Sequence, residues 1–174
     1  RILSSGSRTN PWMQESSNKI IQDGEIVSFD TDMVGPYGYC ADISRAFVCG
    51  NKFNEHQKKI YSTAVEQIDY NSRLIKDGVS FREFTEKAWI LPEKYYGNRY
   101  SVMLHGIGLC DEWPAIRYPT DGGERSGIFQ KNMTITLESY IGEVGGHEGV
   151  KLEQQYLVGE NGLELMSHHP LEQI

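Results

Sequence analysis

The chain has 174 residues, of which 39% are hydrophobic and 24% are charged, and its formal net charge is -7. These values are typical of a globular domain with its own core and exclude a disordered chain. Acidic and basic residues are mixed along an acidic sequence, so we expect no nucleic-acid partner. Because no apolar run approaches the ~18 residues of a membrane span, we expect no membrane association.

Three cysteines, Cys40, Cys49 and Cys110, occur without a CxxC spacing. An odd number without that spacing favours a reducing compartment over a disulfide framework or a structural zinc site, so we expect a cytoplasmic protein. The chain begins at Arg1 without an initiator methionine, in what reads as the end of a strand. We therefore interpret residues 1–174 as one metal-binding catalytic domain, a fragment that lacks an N-terminal domain.

Residues 25–47 predict a β-hairpin that carries three carboxylates. The residues around Asp30 and Asp32 alternate with the period of a half-buried strand, which puts these two side chains on one face. A Gly-Pro-Tyr-Gly turn follows, and a returning strand brings Asp42 beside the first two. Three acids at one end of a hairpin need a compensating charge, for which a divalent metal ion is the obvious candidate. The alternative is that they are solvated turn residues.

Two helices are predicted after the hairpin. Asn54 is a suitable N-cap for a helix that runs to about Lys76 with one apolar stripe. Ser80 begins a second helix, with Glu83 three residues later in a capping-box arrangement, and Pro92 ends it. We expect both apolar stripes to pack on a sheet as core.

Short strands return in the second half of the chain. They are predicted at 101–104, 134–140, 150–158 and 163–166. The order of strands, two helices and strands predicts an α+β domain with helices on one side of a mainly antiparallel sheet.

Three later residues complete a candidate metal centre. His105 precedes glycines that allow close approach of backbone and metal, Glu138 ends an alternating strand, and Glu153 lies in another strand. Each residue alone has an ordinary structural explanation. Together with the three aspartates they form an oxygen-rich set with one imidazole, which suits two divalent ions of the Mn, Fe, Co or Zn kind.

The contexts of these residues resemble a known family. The order Asp, Asp, His, Glu, Glu, with YCADISR around Asp42, HGIG at His105 and VKLE at Glu153, is similar to the pita-bread metallopeptidases, the family of methionine aminopeptidase and Xaa-Pro dipeptidase. The resemblance covers nearly all of the chain. It implies the pita-bread (creatinase/aminopeptidase-like) fold, of which this chain is the C-terminal part, with a curved, mainly antiparallel sheet. It also implies a two-metal centre and a homodimer in the full-length form.

Three departures separate this chain from the hydrolytic members of that family. The peptidases place an Asp 11 residues before Asp42, where this chain has Thr31 with an acid on either side. Trp12 stands where a substrate-binding His is usual, and the segment 110–114 lacks a second His. Two imidazoles that serve peptide hydrolysis are therefore absent from the sequence.

The same departures are similar to one branch of the family, the dimethylsulfoniopropionate lyases of the DddP type. That branch shares the Asp-Thr-Asp pair, the Gly-Pro-Tyr-Gly-Tyr turn, a tyrosine five residues before the metal His (here Tyr100) and an Asp six residues after it (here Asp111). The resemblance implies a metal-dependent β-elimination that converts a small zwitterion to dimethyl sulfide and acrylate. It favours iron as the metal, with zinc or manganese as alternatives.

The elimination needs a base and a pocket for a sulfonium ion. Asp111 and Tyr100 are the candidate catalytic residues, and Asp111, expected to be shielded from water beside a tryptophan, is the candidate base. A metal ion can bind the substrate carboxylate and stabilise the charge that develops as the α-proton leaves. Aromatic rings hold a sulfonium by cation–π attraction. The candidate rings are Trp12, Tyr37, Tyr39 and Trp113.

Two other functions are open from the sequence. One is a dinuclear Xaa-Pro dipeptidase or aminopeptidase that tolerates the altered histidines. The other is a binding module that has lost catalysis, a change that normally accompanies loss of metal ligands. The six candidate ligands are Asp30, Asp32, Asp42, His105, Glu138 and Glu153.

Overall fold

The computed structural model describes residues 2–50, 52–122 and 126–171. In chain order its strands are β1 (Ile2–Ser5), β2 (Ile26–Asp30), β3 (Met33–Val34), β4 (Cys40–Ala41), β5 (Ser44–Val48), β6 (Val102–Gly106), β7 (Ala115–Arg117), β8 (Thr134–Gly142), β9 (Gly149–Val158) and β10 (Leu163–Leu165). Its α-helices are α1 (Glu55–Ser72), α2 (Phe81–Lys87) and α3 (Glu93–Tyr96).

Two antiparallel sheets frame the domain. One has the strand order β1-β2-β5 and the other the order β10-β9-β8-β6-β7, while β3 and β4 form a separate two-stranded ribbon. Strand β5 contacts β9, so the hairpin of the first sheet lies beside the long β8–β9 pair of the second. The antiparallel pairing confirms the predicted α+β class.

Strand β2 turns its polar residues inward. Ser28 and Asp30 are buried, whereas Phe29 between them is 38% exposed. The strand ends at Asp30, and Asp32 has a φ of 33°, outside the range of a strand. The prediction that Asp30 and Asp32 share one strand face was therefore wrong, because the alternation stops at Asp30. The predicted hairpin itself is present, with Asp30 opposite Ser44 in the β2–β5 pairing.

The two predicted helix starts are confirmed by their caps. The Asn54 side chain accepts a hydrogen bond from the backbone N–H of Gln57, and the Gln57 side chain accepts one from the backbone N–H of Asn54, which completes a capping box. Helix α1 ends at Ser72, before the predicted end. The hydroxyl of Ser80 caps α2, which ends at Lys87 rather than at the following proline. The short α3 was not predicted.

The core lies between α1 and one face of β8 and β9, which both contact this helix. Ile60, Ile68, Leu137 and Leu152 are at most 1% exposed. Full burial of one such side chain contributes about 1.5–3 kcal/mol. Strands β6, β8, β9 and β10 correspond to the four predicted strands, whereas the three-residue β7 is too short to give a periodic signal.

None of the helices in the described ranges combines the length and the hydrophobicity that a membrane crossing requires.

Candidate metal centre

The register of the second sheet brings three predicted ligands together. Glu138 on β8 lies directly opposite Glu153 on β9, and His105 on β6 lies opposite Thr136 on the other side of β8. Directly opposed residues in antiparallel strands have Cβ atoms within about 5.5 Å of each other. Because all three residues are buried, the sheet places one imidazole and two carboxylates in a site that excludes bulk water.

His105 is the centre of the contacts. Its Nε2 atom lies 3.4 Å from Oε1 of Glu138, 3.4 Å from Oε1 of Glu153 and 3.9 Å from Oδ2 of Asp42. Ligand atoms of Asp42, His105 and Glu153 lie within 4.8 Å of one another. The Nδ1 atom lies 3.0 Å from the carbonyl oxygen of Gly106, which favours a proton on Nδ1 and leaves Nε2 directed at the carboxylates.

A second group of carboxylates adjoins the first. Oxygen atoms of Asp32, Asp42 and Asp111 lie within 4.8 Å of one another, so Asp42 belongs to both groups. The backbone N–H of Asp32 donates to Oδ1 of Asp42 over 3.2 Å. The backbone N–H of Cys40 donates to the carbonyl of Gly108 over 2.7 Å, which ties the hairpin to the loop that carries Asp111.

Asp30 lies on another side of the cluster. It is 7% exposed and accepts a short hydrogen bond from the hydroxyl of Ser44, which lies 3.1 Å from Oε2 of Glu153. Among the residues that the structure describes, Asp30 belongs to neither group of converging ligand atoms. It contacts the centre through Ser44.

Lys151 lies inside the centre, although sequence analysis did not identify it. Its buried ammonium group contacts Oε2 of Glu138, lies 3.3 Å from Oε2 of Glu153 and donates to the hydroxyl of Ser44 over 2.8 Å. Lys151 and Glu153 are two residues apart on β9 and therefore share a face. That spacing was the available signal, and it is weak because lysine is almost never fully buried unless it is paired.

Two of the predicted aromatic residues flank Lys151. Its Nζ atom lies 5.4 Å from the ring centroid of Trp12 and 5.3 Å from that of Tyr100. Both distances fall within the ~6 Å range of cation–π attraction. Trp12 and Tyr100 therefore border the centre, but each ring already faces a cation of the chain itself.

Hydrogen bonds around Asn10 position the loop of Trp12. The hydroxyl of Tyr140 on β8 lies 2.8 Å from Oδ1 of Asn10 and 2.9 Å from the carbonyl oxygen of Thr9, and it donates to this pair of acceptors. The Asn10 amide donates to the carbonyl of Glu143 over 2.8 Å. Burial raises the pKa of Tyr140, so its hydroxyl stays a donor. The ring of Trp12 lies 6.1 Å from that of Tyr140 between centroids.

The other predicted substrate contacts are largely exposed. Tyr37 at the hairpin turn is 96% exposed, Tyr39 is 56% exposed and Trp113 is 63% exposed. Their role in substrate binding stays a prediction. Asp111 is only half-buried, so the expectation that it is shielded from water was wrong. The reason is that its loop runs along the surface, where Leu109 and Trp113 are 71% and 63% exposed.

The carboxylates of the centre repel one another. Burial and the neighbouring charge of Glu153 raise the pKa of Asp42 to about 9. Burial also raises the pKa values of Asp30 and Glu138. The carboxylates of the centre outnumber its two cationic side chains, His105 and Lys151. Part of the cluster therefore holds protons when no metal ion is bound.

The cationic side chains of Lys151 and His105 offset part of the repulsion between the carboxylates. Burial alone would raise the pKa of Glu153, but the charges of Lys151 and His105 outweigh it and lower that pKa to about 2. Burial would lower the pKa of His105, but Glu138 and Glu153 raise it to about 11. Lys151 stays charged, because the same carboxylates raise its pKa well above the ordinary value.

The residues of the centre fit divalent cations. Oε1 of Glu153 is buried, has no hydrogen-bond partner among the described residues and points to the side of His105. A buried carboxylate oxygen without a hydrogen bond, in a cluster where carboxylates outnumber the two cationic side chains, is a place that can accept a further positive charge. Carboxylate oxygens with one imidazole are the donor set that manganese, iron and zinc accept.

Comparison with known proteins identifies the class. Residues 1–160 match the profile of metallopeptidase family M24, and the chain belongs to this family. The solved structure of an X-Pro aminopeptidase from Thermotoga maritima is 27% identical to it, with a TM-score of 0.80, and the match covers 98% of this chain and 47% of that chain. The predicted pita-bread fold is thereby confirmed.

Two curated relatives are lyases by name. The dimethylsulfoniopropionate lyase DddP of Roseovarius nubinhibens is 40% identical over 176 residues, which cover 99% of this chain and 39% of that protein. The protein of the same name from Roseobacter denitrificans is 39% identical with the same coverage. The chain thus spans about two fifths of the length of these relatives. The resemblance to the lyase branch that the motifs indicated is confirmed as a similarity.

Proposed function

We propose that the chain carries the active site of a metal-dependent lyase, which cleaves dimethylsulfoniopropionate to dimethyl sulfide and acrylate by β-elimination. The observation that carries the proposal is the convergence of Asp111 with the candidate ligands Asp32 and Asp42 within 4.8 Å. The similarity to proteins named as dimethylsulfoniopropionate lyases supports the choice of substrate.

The metal ligands in this proposal fall on two sides. His105, Glu138 and Glu153 would hold one ion and Asp32 the other, and Asp42 lies between the two sides. Within the described part of the chain, Asp30 belongs to neither group of converging atoms, so its place on the Asp32 side comes from the predicted ligand set and not from the geometry. When bound, the ions supply a Lewis acid for the substrate carboxylate and for the charge that develops on it. The resemblance to the lyase branch favours iron, with zinc or manganese as alternatives.

Asp111 acts as the base. Its carboxylate takes the proton from the α-carbon, the electron pair of that C–H bond becomes the new C=C bond, and the C–S bond breaks with its electrons on sulfur. Dimethyl sulfide and acrylate leave, and the proton on Asp111 passes to solvent. Partial exposure of Asp111 suits this last step, because the group has to return its proton to water after each turnover.

Tyr100 acts as a hydrogen-bond donor beside the centre. Burial and the neighbouring carboxylate of Glu138 raise its pKa, so the hydroxyl keeps its proton at neutral pH. A neutral hydroxyl can donate to the substrate carboxylate as charge builds up there.

The charge of Lys151 sets the orientation of the substrate. An ammonium group repels a sulfonium, and Lys151 already occupies the space between Trp12 and Tyr100. The sulfonium end therefore lies away from Lys151, towards the loop of Asp111, where Tyr39 and Trp113 offer aromatic faces. The carboxylate end lies towards the metal ions and the positive side chain.

A dinuclear peptidase acting on Xaa-Pro substrates is the second candidate. The similarity to an X-Pro aminopeptidase and the ligand set favour it. Against it, His105 is the one imidazole near the cluster among the described residues, and Trp12 borders the centre where a histidine would serve peptide hydrolysis. The convergence of the ligands argues against a binding module without metal.

The two enzymes are separated by one pair of assays on the intact protein loaded with Fe²⁺, Zn²⁺ or Mn²⁺. One sample receives dimethylsulfoniopropionate, and acrylate is followed by NMR together with dimethyl sulfide in the headspace. The other receives an Xaa-Pro dipeptide. Acrylate and dimethyl sulfide in equal amounts with an intact dipeptide support the lyase. Rapid hydrolysis of the dipeptide without acrylate contradicts it.

A further inference from the structure

Each of the two glutamates in the centre divides its oxygen atoms between two cationic side chains. Oε1 of Glu138 and Oε1 of Glu153 both lie 3.4 Å from Nε2 of His105. Oε2 of both residues faces the ammonium group of Lys151. The ammonium therefore holds one oxygen of each glutamate away from the histidine side of the centre.

Lys151 is also linked to the aspartate side. Its Nζ atom donates to the hydroxyl of Ser44, and that hydroxyl donates to Oδ1 of Asp30 and lies 3.1 Å from Oε2 of Glu153. A cation that used Oδ1 of Asp30 or Oε2 of Glu153 would compete with Ser44 and Lys151, which already engage these two atoms. It would also lie close to a fixed positive charge.

The position of Lys151 is fixed by packing. Its side chain is 1% exposed, and the rings of Trp12 and Tyr100 lie 5.4 Å and 5.3 Å from its charged end. An ammonium group in this setting cannot retreat into water when a metal ion arrives. A fixed positive charge a few ångströms away repels a divalent ion, and the repulsion is stronger in a buried site than in water.

We propose that Lys151 is a positioning residue that makes the two metal sites unequal. It leaves Oε1 of Glu138 and Glu153 to an ion on the His105 side, which binds first, and it weakens the binding of an ion on the Asp30 side. This inference rests on the proposed metal centre. It goes beyond that proposal because it assigns the difference in affinity between the two sites to one side chain of this chain.

The test is a titration of the metal-free protein with Mn²⁺ alone. Binding is monitored by isothermal titration calorimetry and by the EPR signal of unbound Mn²⁺. The wild type is expected to bind in two steps of different affinity. Lys151→Met removes the charge at similar length, and its second step is expected to tighten by about tenfold or more. Lys151→Arg keeps the charge and is expected to restore the wild-type separation. Lys76→Met, on an exposed lysine, is the matched control and should bind as the wild type does.

The outcomes distinguish the inference from the metal centre on which it rests. A wild type that binds no Mn²⁺ contradicts the metal centre, and the inference falls with it. A wild type with two steps whose second dissociation constant is unchanged in Lys151→Met overturns the inference and leaves the centre intact. Thermal unfolding checks that each variant folds. If Lys151→Met does not fold, Lys151→Gln, which also removes the charge, takes its place: a tighter second step supports the inference, and an unchanged second step overturns it.

Discussion

The carboxylate of Asp111 lies within 4.8 Å of the carboxylate of Asp42, although the two residues belong to distant parts of the sequence. The contact depends on a backbone hydrogen bond between Cys40 and Gly108, which joins the hairpin to the loop after β6. The proposed base and a proposed metal ligand are thus neighbours. A substrate bound to the metal through its carboxylate would have its α-carbon near both residues.

The loop of Trp12 is expected to depend on the hydroxyl of Tyr140. Tyr140→Phe removes the donor to Asn10 and Thr9, and loss of such a hydrogen bond typically costs about 0.5–1.5 kcal/mol. We expect a lower free energy of unfolding by that amount and an altered tryptophan fluorescence, because Trp12 rests on the Tyr140 ring. Tyr70→Phe, on a residue that is 46% exposed, is the control. Equal stability and spectra of Tyr140→Phe and the wild type would show that the loop is held by other contacts.

The metal-free protein is expected to lose stability as the pH rises from about 5 to about 9. The pKa of Asp42 is about 9 in the folded chain against an ordinary value of 3.8, so in this window the folded state binds a proton that the unfolded state has released. His105 acts in the same direction above its ordinary value of 6.5, since its folded pKa is about 11. One such group contributes up to about 1.4 kcal/mol per pH unit.

Urea unfolding of the metal-free protein at several pH values measures this slope. Asp42→Asn should flatten it, whereas Asp69→Asn, on an exposed residue, should leave it unchanged. Saturating Mn²⁺ should remove most of the decline, because metal binding displaces the same protons. The low pKa of Glu153, about 2, has the opposite sign but acts only below its ordinary value of 4.5. A free energy of unfolding that rises with pH in the metal-free protein would contradict the proposed protonation of the cluster.

Metal ions are expected to stabilise the chain through Glu153. At a free Mn²⁺ concentration 100 times the dissociation constant, one site adds about 2.7 kcal/mol to the free energy of unfolding. Glu153→Gln keeps the shape of a fully buried ligand and removes its charge, so most of this gain should disappear. Glu164→Gln, on an exposed strand residue, should keep it. Differential scanning calorimetry with and without Mn²⁺ compares the three proteins, and an equal gain in all of them would exclude Glu153 as a ligand.

Local signals in the sequence were sufficient for the elements that begin with a cap or a turn. Asn54 and Ser80 mark helix starts because their side chains satisfy backbone N–H groups within three residues. The hairpin between β2 and β5 follows from a turn flanked by two strands. Helix ends were less accurate, since the buried apolar stripe of α1 continues to Ile75, beyond the end of the helix at Ser72.

The residues inside the metal centre could not be predicted from such local signals in the sequence. Lys151 enters it only because β8 and β9 pair in the register that puts Glu138 opposite Glu153, and that register joins residues far apart along the chain. Asp32 leaves the strand because its backbone adopts a positive φ, which the alternation of side chains does not reveal. The position of Trp12 depends on Tyr140, more than a hundred residues away.

The most direct test of the proposed lyase is dimethyl sulfide in the headspace above the intact, metal-loaded protein and above its Asp111→Asn variant. Loss of a general base lowers the rate by about 10²-fold or more. We expect gas from the wild type and from Glu112→Gln, an exposed neighbour of Asp111 on the same loop, and almost none from Asp111→Asn at unchanged metal content. No gas from the metal-loaded wild type, or equal gas from the wild type and Asp111→Asn, would contradict the mechanism.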